Sequence, residues 1–169
     1  MSKQLPVSIS TLDSWAEVRA RDRVTRYRRS GVGRAVLVLD TANGSSFWPE
    51  LMHVLGSNFR LIVPEVPVGN VNQGAWLAEF LEGLGTTSVS LVAASDFCVP
   101  ALDLVLRGVD QISQLVLVPD GEADEPGREG ALATGAGPAS VPLLVVRRGV
   151  DVIDALPTIT RFLSGKLSV

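Results

Sequence analysis

The sequence predicts an α/β fold, a three-layer sandwich in which helices cover both faces of a mostly parallel sheet. Five short apolar runs recur along the chain without polar alternation, as expected for strands buried on both faces. Segments of about 12 residues with helical periodicity separate most of these runs, which suits the crossovers of a parallel sheet. Before the first run, an arginine-rich segment predicts an antiparallel hairpin.

The elements can be placed in order. Residues 15–31 form short extended pieces around the polar break Arg21-Asp22, which predicts a β-hairpin at a sheet edge. The apolar runs predict strands at 35–40, 59–66, 88–95, 112–120 and 141–149. Amphipathic periodicity predicts helices at 45–56, 73–85, 98–109 and 152–167. Pro157 is expected to interrupt the last helix, and residues 121–140, rich in Gly, Ala and Pro, are expected to form a flexible segment without strands.

Composition limits the kind of molecule. The 169 residues suffice for one sizeable core, and 46% hydrophobic with 20% charged residues is typical of a globular chain, so residues 1–169 are predicted to form a single domain. One cysteine, Cys98, and one histidine, His53, exclude an internal disulfide, a cysteine-based zinc site and a multi-histidine metal site. We expect no metal and no cofactor. Cys98 is expected to be a small buried hydrophobe, or else a thiol activated at a helix start.

Charge and hydropathy limit the kinds of partner that the protein is expected to bind. The net charge of −3 argues against a nucleic-acid binder, and no apolar run approaches the roughly 18 residues of a membrane span, so a cytoplasmic protein is expected. Residues 1–34 nevertheless carry eight Lys/Arg against three acids. Arg19, Arg21 and Arg23 are predicted to share one strand face. That stripe suits an anionic partner, whereas the alternative is an edge hairpin kept soluble by its charges.

The loops after the parallel strands predict where a ligand binds. In such sheets ligands sit beyond the carboxyl ends of the strands, so these loops form one rim of the sheet. Glu65 and Asn70 follow the second parallel strand and are candidates for contacting a polar small molecule. Loop capping explains both equally well.

The order of these pieces resembles the α/β-hydrolase superfamily from about Trp15 to Gly165. "RVTRYRRSGVGRAVLVLD" is similar to the leading hairpin and first parallel strand, "SVSLVAASDF" to the nucleophile elbow, and "VPLLVVRRGVD" to the strand that ends at the catalytic acid. The resemblance places Ser95 at the nucleophile position and Asp151 at the acid position. It also implies one oxyanion donor from the backbone of Asp96 and another from the loop after "VLVLD", which begins with Asp40 and Thr41.

Several family features are replaced. Family members commonly have His-Gly after the first parallel strand, where this chain has Asp40-Thr41, and a carboxylate there opposes oxyanion binding. The elbow positions that favour glycine hold Ala93 and Phe97. The phenylalanine predicts a relaxed turn or a displaced helix.

The largest difference from the family pattern concerns the histidine that acts as the general base. In the family a histidine follows the acid after one more strand, but here Asp151 leads directly into a predicted helix and no histidine follows it. His53 lies in the middle of a predicted helix and is expected on the surface. The lid has shrunk to the segment 121–140. Ser95 also fits a serine that caps the next helix, and Asp151 fits a helix N-cap.

Two classes of function follow. The first is a degenerate α/β-hydrolase-fold protein without a complete Ser-His-Asp triad. It binds a small molecule at the rim, or acts as an accessory subunit in a homodimer or with a partner protein, because the missing lid leaves the rim uncovered. The second is an enzyme, either a weak esterase using Ser95 or a lyase- or cyclase-like enzyme using the carboxylates of Asp40, Asp96 or Asp151.

Overall fold

The computed structural model describes residues 14–40, 48–69, 71–119, 132–136, 141–146 and 150–167. Its strands form one sheet of eight in the order β1-β2-β4-β3-β5-β6-β8-β7. They are β1 Ser14–Ala20, β2 Arg23–Ser30, β3 Ala35–Leu39, β4 Arg60–Pro64, β5 Val89–Ala94, β6 Ile112–Val118, β7 Leu132–Ala136 and β8 Pro142–Val146. The helices are α1 Trp48–Gly56, α2 Gln73–Leu84, α3 Cys98–Leu106 and α4 Val152–Leu163.

The centre of the sheet is parallel and its two ends are antiparallel. Strands β4, β3, β5, β6 and β8 run parallel to one another, whereas β2 pairs antiparallel with β4 and β7 antiparallel with β8. The carboxyl ends of the five parallel strands therefore lie along one edge, which is the rim predicted from the sequence. The predicted fold class, a mostly parallel sheet with an N-terminal hairpin, is confirmed.

Two apolar layers sandwich the sheet. Alternate residues of β3 show the division: Leu37 and Leu39 pack towards α2 and α3, while Val36 and Val38 pack towards α1 and α4. All five residues of β3 are buried, which explains why its sequence is continuously apolar. Each such side chain contributes roughly 1.5–3 kcal/mol by leaving water.

The hairpin is regular, but its arginines do not share one face. Strands β1 and β2 pair over seven consecutive positions around the two-residue turn Arg21-Asp22. Arg19 lies opposite Val24 on the exposed face, whereas Arg23 lies opposite Ala20 on the face that α2 covers. The prediction of one arginine stripe was wrong because residues 19 and 23 are separated by a turn, which breaks the alternation on which it depended.

Two details of the chain's second half differ from the predictions. Strand β7 lies inside the segment 121–140, for which we predicted no strand; its sequence LATGA has little strand propensity, and pairing with the edge of β8 supplies the missing preference. The rest of that segment lies outside the described residues. Helix α4 continues through Pro157 without interruption. None of the described helices is long and apolar enough to cross a bilayer.

Candidate functional site

Ser95 follows β5 directly and occupies a strained backbone conformation. Its φ angle is 53°, whereas the preceding residue, Ala94, is extended with φ −114° and ψ 157°. A 3-10 turn spans Ser95–Phe97, and α3 begins at the next residue. Left-handed backbone costs a residue other than glycine about 1–2 kcal/mol. A strained strand-to-helix turn of this kind is the one that exposes a nucleophile hydroxyl at the top of a parallel sheet.

The side chains flanking Ser95 are part of the core. Ala93 and Phe97 are both fully buried, and the Phe97 ring meets the Trp76 ring of α2 edge-on, with centroids 5.9 Å apart. The turn is not relaxed, so our expectation for a phenylalanine at this position was wrong in that respect. Because Phe97 points into the layer under α2, its bulk does not compete with the tight turn. The Cys98 thiol is half-buried and donates to the Ala93 carbonyl at 3.3 Å.

The predicted oxyanion region adjoins this turn. Strand β3 lies beside β5 with Leu39 opposite Ala93, so the next residue of the chain, Asp40, lies beside the start of the Ser95 turn. Asp40 is half-buried and Asp96 is exposed. Thr41 lies outside the described residues. The register therefore puts Asp40 and the Ser95–Asp96 turn at the ends of neighbouring strands, on the same edge of the sheet.

Asp151 is the N-cap of α4. Its backbone is extended, with φ −61° and ψ 127°, and its Oδ1 accepts a hydrogen bond from the Ile153 N–H at 2.9 Å. The cap interpretation is confirmed. Strand β8, which precedes Asp151, is separated by β6 from β5, which precedes Ser95, so these two strands lie two strand spacings apart. Two strand spacings amount to about 10 Å.

His53 lies on the outer surface of α1. It is exposed, and it stands two residues from Leu51 and two from Leu55, both fully buried against the sheet. Two residues correspond to roughly 200° of helix rotation, so the imidazole faces away from the sheet. The surface prediction is confirmed. Within the described ranges, no three side chains of the metal-binding types come together.

Glu65 belongs to the hairpin side of the rim. Its N–H donates to the Arg26 carbonyl at 2.9 Å, and its carboxylate lies 3.8 Å from the Arg26 guanidinium. Arg26 also lies 4.0 Å from the Glu17 carboxylate and 4.9 Å above the Trp15 ring. Sequence reasoning missed this cluster, although the two-residue turn fixes residue 26 opposite residue 17. Asn70 lies outside the described residues.

Comparison with known proteins identifies the architecture. No family model matches the sequence, and a search of curated proteins gave no match. Solved structures do match: an epoxide hydrolase from Vigna radiata superposes with a TM-score of 0.54 at 17% identity, over 69% of this chain and 42% of that one. The chain has the α/β-hydrolase fold.

Two further hydrolases match equally well. A haloalkane dehalogenase loop variant from Bradyrhizobium elkanii gives a TM-score of 0.53 at 21% identity, over 62% of this chain and 39% of the other. A carboxylesterase from Bacillus subtilis gives 0.53 at 18% identity, over 62% and 42%. The chain thus spans about two fifths of the length of the α/β hydrolases that it matches.

The described elements around β8 follow a different order from the family pattern. The family pattern described above places one more strand after the acid, leading to the histidine. Here β8 is followed by α4, and the position beside β8 is taken by β7, which precedes β8 in the chain and runs antiparallel to it. Asp151 caps α4 at the place where that further strand is expected to follow.

Proposed function

We propose that this chain is a non-hydrolytic α/β-hydrolase-fold protein that binds a small molecule at the rim around Ser95. The observation that carries the proposal is the position of the chain's only histidine, which faces solvent from α1. A serine hydroxyl without a general base is a weak nucleophile. Loss of one triad member lowers the rate by about 10⁴- to 10⁶-fold.

The character of the rim narrows the ligand class. The described residues that follow β3, β5 and β8 include the carboxylates of Asp40, Asp96 and Asp151. Near Ser95, the carboxylates of Asp40 and Asp96 disfavour a carboxylate or phosphate ligand and favour a neutral or cationic molecule, whereas beside Asp151 the sequence also carries Arg147 and Arg148. The half-buried Ser95 hydroxyl can donate or accept a hydrogen bond with such a ligand.

An accessory role is part of the same proposal. Val68, in the loop after β4, is 94% exposed, and Val99, at the start of α3, is 76% exposed. Apolar side chains at the rim favour contact with a second copy or a partner protein.

Ester turnover tests the proposal. We expect p-nitrophenyl acetate to be hydrolysed at the same slow rate by the wild-type chain, by Ser95→Ala and by the control Ser88→Ala, which alters an exposed serine before β5. Turnover that disappears in Ser95→Ala alone contradicts the proposal. Binding is tested by NMR titration with neutral, cationic and anionic fragments of similar size. Anionic fragments that shift the Ser95 and Asp96 amides most strongly contradict the ligand class.

An enzyme is the alternative, and the φ angle of 53° at Ser95 favours it, because strained residues concentrate at active sites. It would be a weak esterase using Ser95, or a lyase- or cyclase-like enzyme using rim carboxylates. Carboxylates that act as acids or bases are usually buried or crowded. Asp96 and Asp151 are exposed, which leaves the half-buried Asp40 as the best candidate. Labelling by a fluorophosphonate at Ser95, located by mass spectrometry, is the result that supports the esterase.

A further inference from the structure

The outer edge of the hairpin is formed by β1, a long and regular strand. Its register with β2 is unbroken over seven pairs, and its sequence SWAEVRA contains no proline. In the part of the chain that the structure describes, no strand pairs with its other side. Proteins usually block such an edge with prolines, bulges, very short strands or charges that repel a partner. The charges on β1 are Glu17 and Arg19, one of each sign.

The hydrogen bonds of β2 show which N–H and C=O groups of β1 point away from the sheet. The Arg26 carbonyl accepts from the Glu65 N–H beyond β4, so the backbone of Arg26 is turned towards that side. Arg26 lies opposite Glu17, and this is therefore one of the pairs in which the two residues do not exchange hydrogen bonds. The N–H and C=O of Glu17 consequently point away from β2. Because the pattern has a period of two, those of Trp15 and Arg19 do so as well.

The outward residues are complementary to themselves. If two β1 strands pair antiparallel about a two-fold axis at Val18, Glu17 of each copy lies opposite Arg19 of the other. Both residues have outward backbone groups, so each of these pairs also forms ladder hydrogen bonds. Centring the axis on Glu17 or on Arg19 instead places like charges opposite each other. Cross-strand ion pairs stabilise a sheet, and opposed like charges destabilise it.

The covered face of the same strand also permits this register. About an axis at Val18, Ala16 of each copy lies opposite Ala20 of the other, and both side chains are small. Helix α2 lies close above this part of β1, since a β-carbon at Gly83 would lie 2.4 Å from the Val18 side chain and 3.1 Å from that of Ala20.

We propose that two copies of this chain associate edge to edge through β1, antiparallel and centred on Val18, so that the two sheets become one continuous sheet. The contact is isologous, and each copy contributes the same surface. This contact lies at the hairpin edge and not at the rim, so its test is independent of whether a small molecule binds around Ser95.

Charge reversal tests the register. Sedimentation velocity over a dilution series is expected to show a dimer for the wild-type chain. Arg19→Glu alone turns two attractive pairs into two repulsive ones and raises the dimer Kd by about tenfold or more. Glu17→Arg does the same, but it also sets an arginine opposite Arg26 within the hairpin, so its fold is checked by far-UV circular dichroism. The double variant restores the complementary pairs and recovers most of the affinity. Asp110→Arg, in the exposed turn before β6, is the control for the change in net charge and is expected to leave the Kd unchanged.

Glu17→Pro tests the backbone contact. Proline removes an outward N–H while the bonds between β1 and β2 remain, so we expect a folded monomer with an unchanged far-UV circular dichroism spectrum. A wild-type chain that stays monomeric at the highest attainable concentration overturns the proposal. So does a dimer that survives Glu17→Pro, or a double variant that binds no more tightly than the single ones.

Discussion

Replacing Ser95 by glycine should stabilise the protein, because it removes strain that the structure locates at a single residue. The φ angle of 53° costs a serine about 1–2 kcal/mol, and a glycine almost nothing. Against this gain, glycine adds about 0.4–1 kcal/mol of conformational entropy to the unfolded chain. The difference predicts that Ser95→Gly raises the free energy of unfolding by about 0.8 kcal/mol, at the centre of a range of about 0 to 1.6 kcal/mol.

Urea denaturation followed by tryptophan fluorescence measures this change. Ser88→Gly is the matched control, since Ser88 is exposed and has no positive φ, and it should lose about 0.4–1 kcal/mol. Ser95→Ala keeps a β-carbon at the strained position and should gain nothing from relief of strain. If Ser95→Gly loses as much stability as Ser88→Gly, the turn is not strained and the argument for a retained elbow conformation fails.

Three further substitutions test contacts around the site, each by urea denaturation. Asp151→Ala should lose about 1 kcal/mol by removing the cap of α4, whereas Asp151→Asn should lose little because asparagine caps equally well. Gly83→Ala should lose about 1–3 kcal/mol, since its new β-carbon would lie 2.4 Å from the Val18 side chain and α2 would have to move off β1. Trp76→Phe removes the indole N–H that donates to the buried Thr25 hydroxyl at 3.1 Å, and the loss of this hydrogen bond alone should lower the free energy of unfolding by about 1–3 kcal/mol. Adding Thr25→Val removes the unsatisfied hydroxyl and should recover part of that loss.

Hydropathy patterns predicted the central parallel strands of the sheet, but they did not predict the edge strand β7 or the uninterrupted helix α4. Strands buried on both faces, such as β3 and β5, must be continuously apolar, so their sequences report their position directly. The edge strand β7 reads LATGA and depends on its partner β8, which no local pattern records. The path of α4 through Pro157 was likewise invisible, because the packing of its apolar face outweighs the local preference of one residue.

The place of Ser95 in the fold was predicted from the sequence, but its backbone conformation was not. The end of an apolar run located Ser95, yet positive φ is normally signalled by glycine at the residue itself, and this residue is a serine. The resemblance to hydrolases placed Asp151 at the acid position, while its place before a predicted helix favoured an N-cap, and only the hydrogen bond to Ile153 shows that its side chain caps the helix. The exposure of His53 follows from helix phase, because Leu51 and Leu55 define the buried face of α1 and His53 lies on the opposite face.

The conformation of Ser95 can persist without catalysis, because the core that surrounds it holds the turn in place. Two residues after Ser95, the fully buried Phe97 packs on Trp76, which donates through its indole N–H to Thr25 of the hairpin. Relaxing the turn would withdraw Phe97 from that cluster, and loss of a buried phenylalanine side chain costs about 3–5 kcal/mol. This exceeds the 1–2 kcal/mol of strain at Ser95. Relaxing the elbow would therefore bring no stability even in the absence of a general base, and positive φ at Ser95 is compatible with a binding site as well as with a nucleophile.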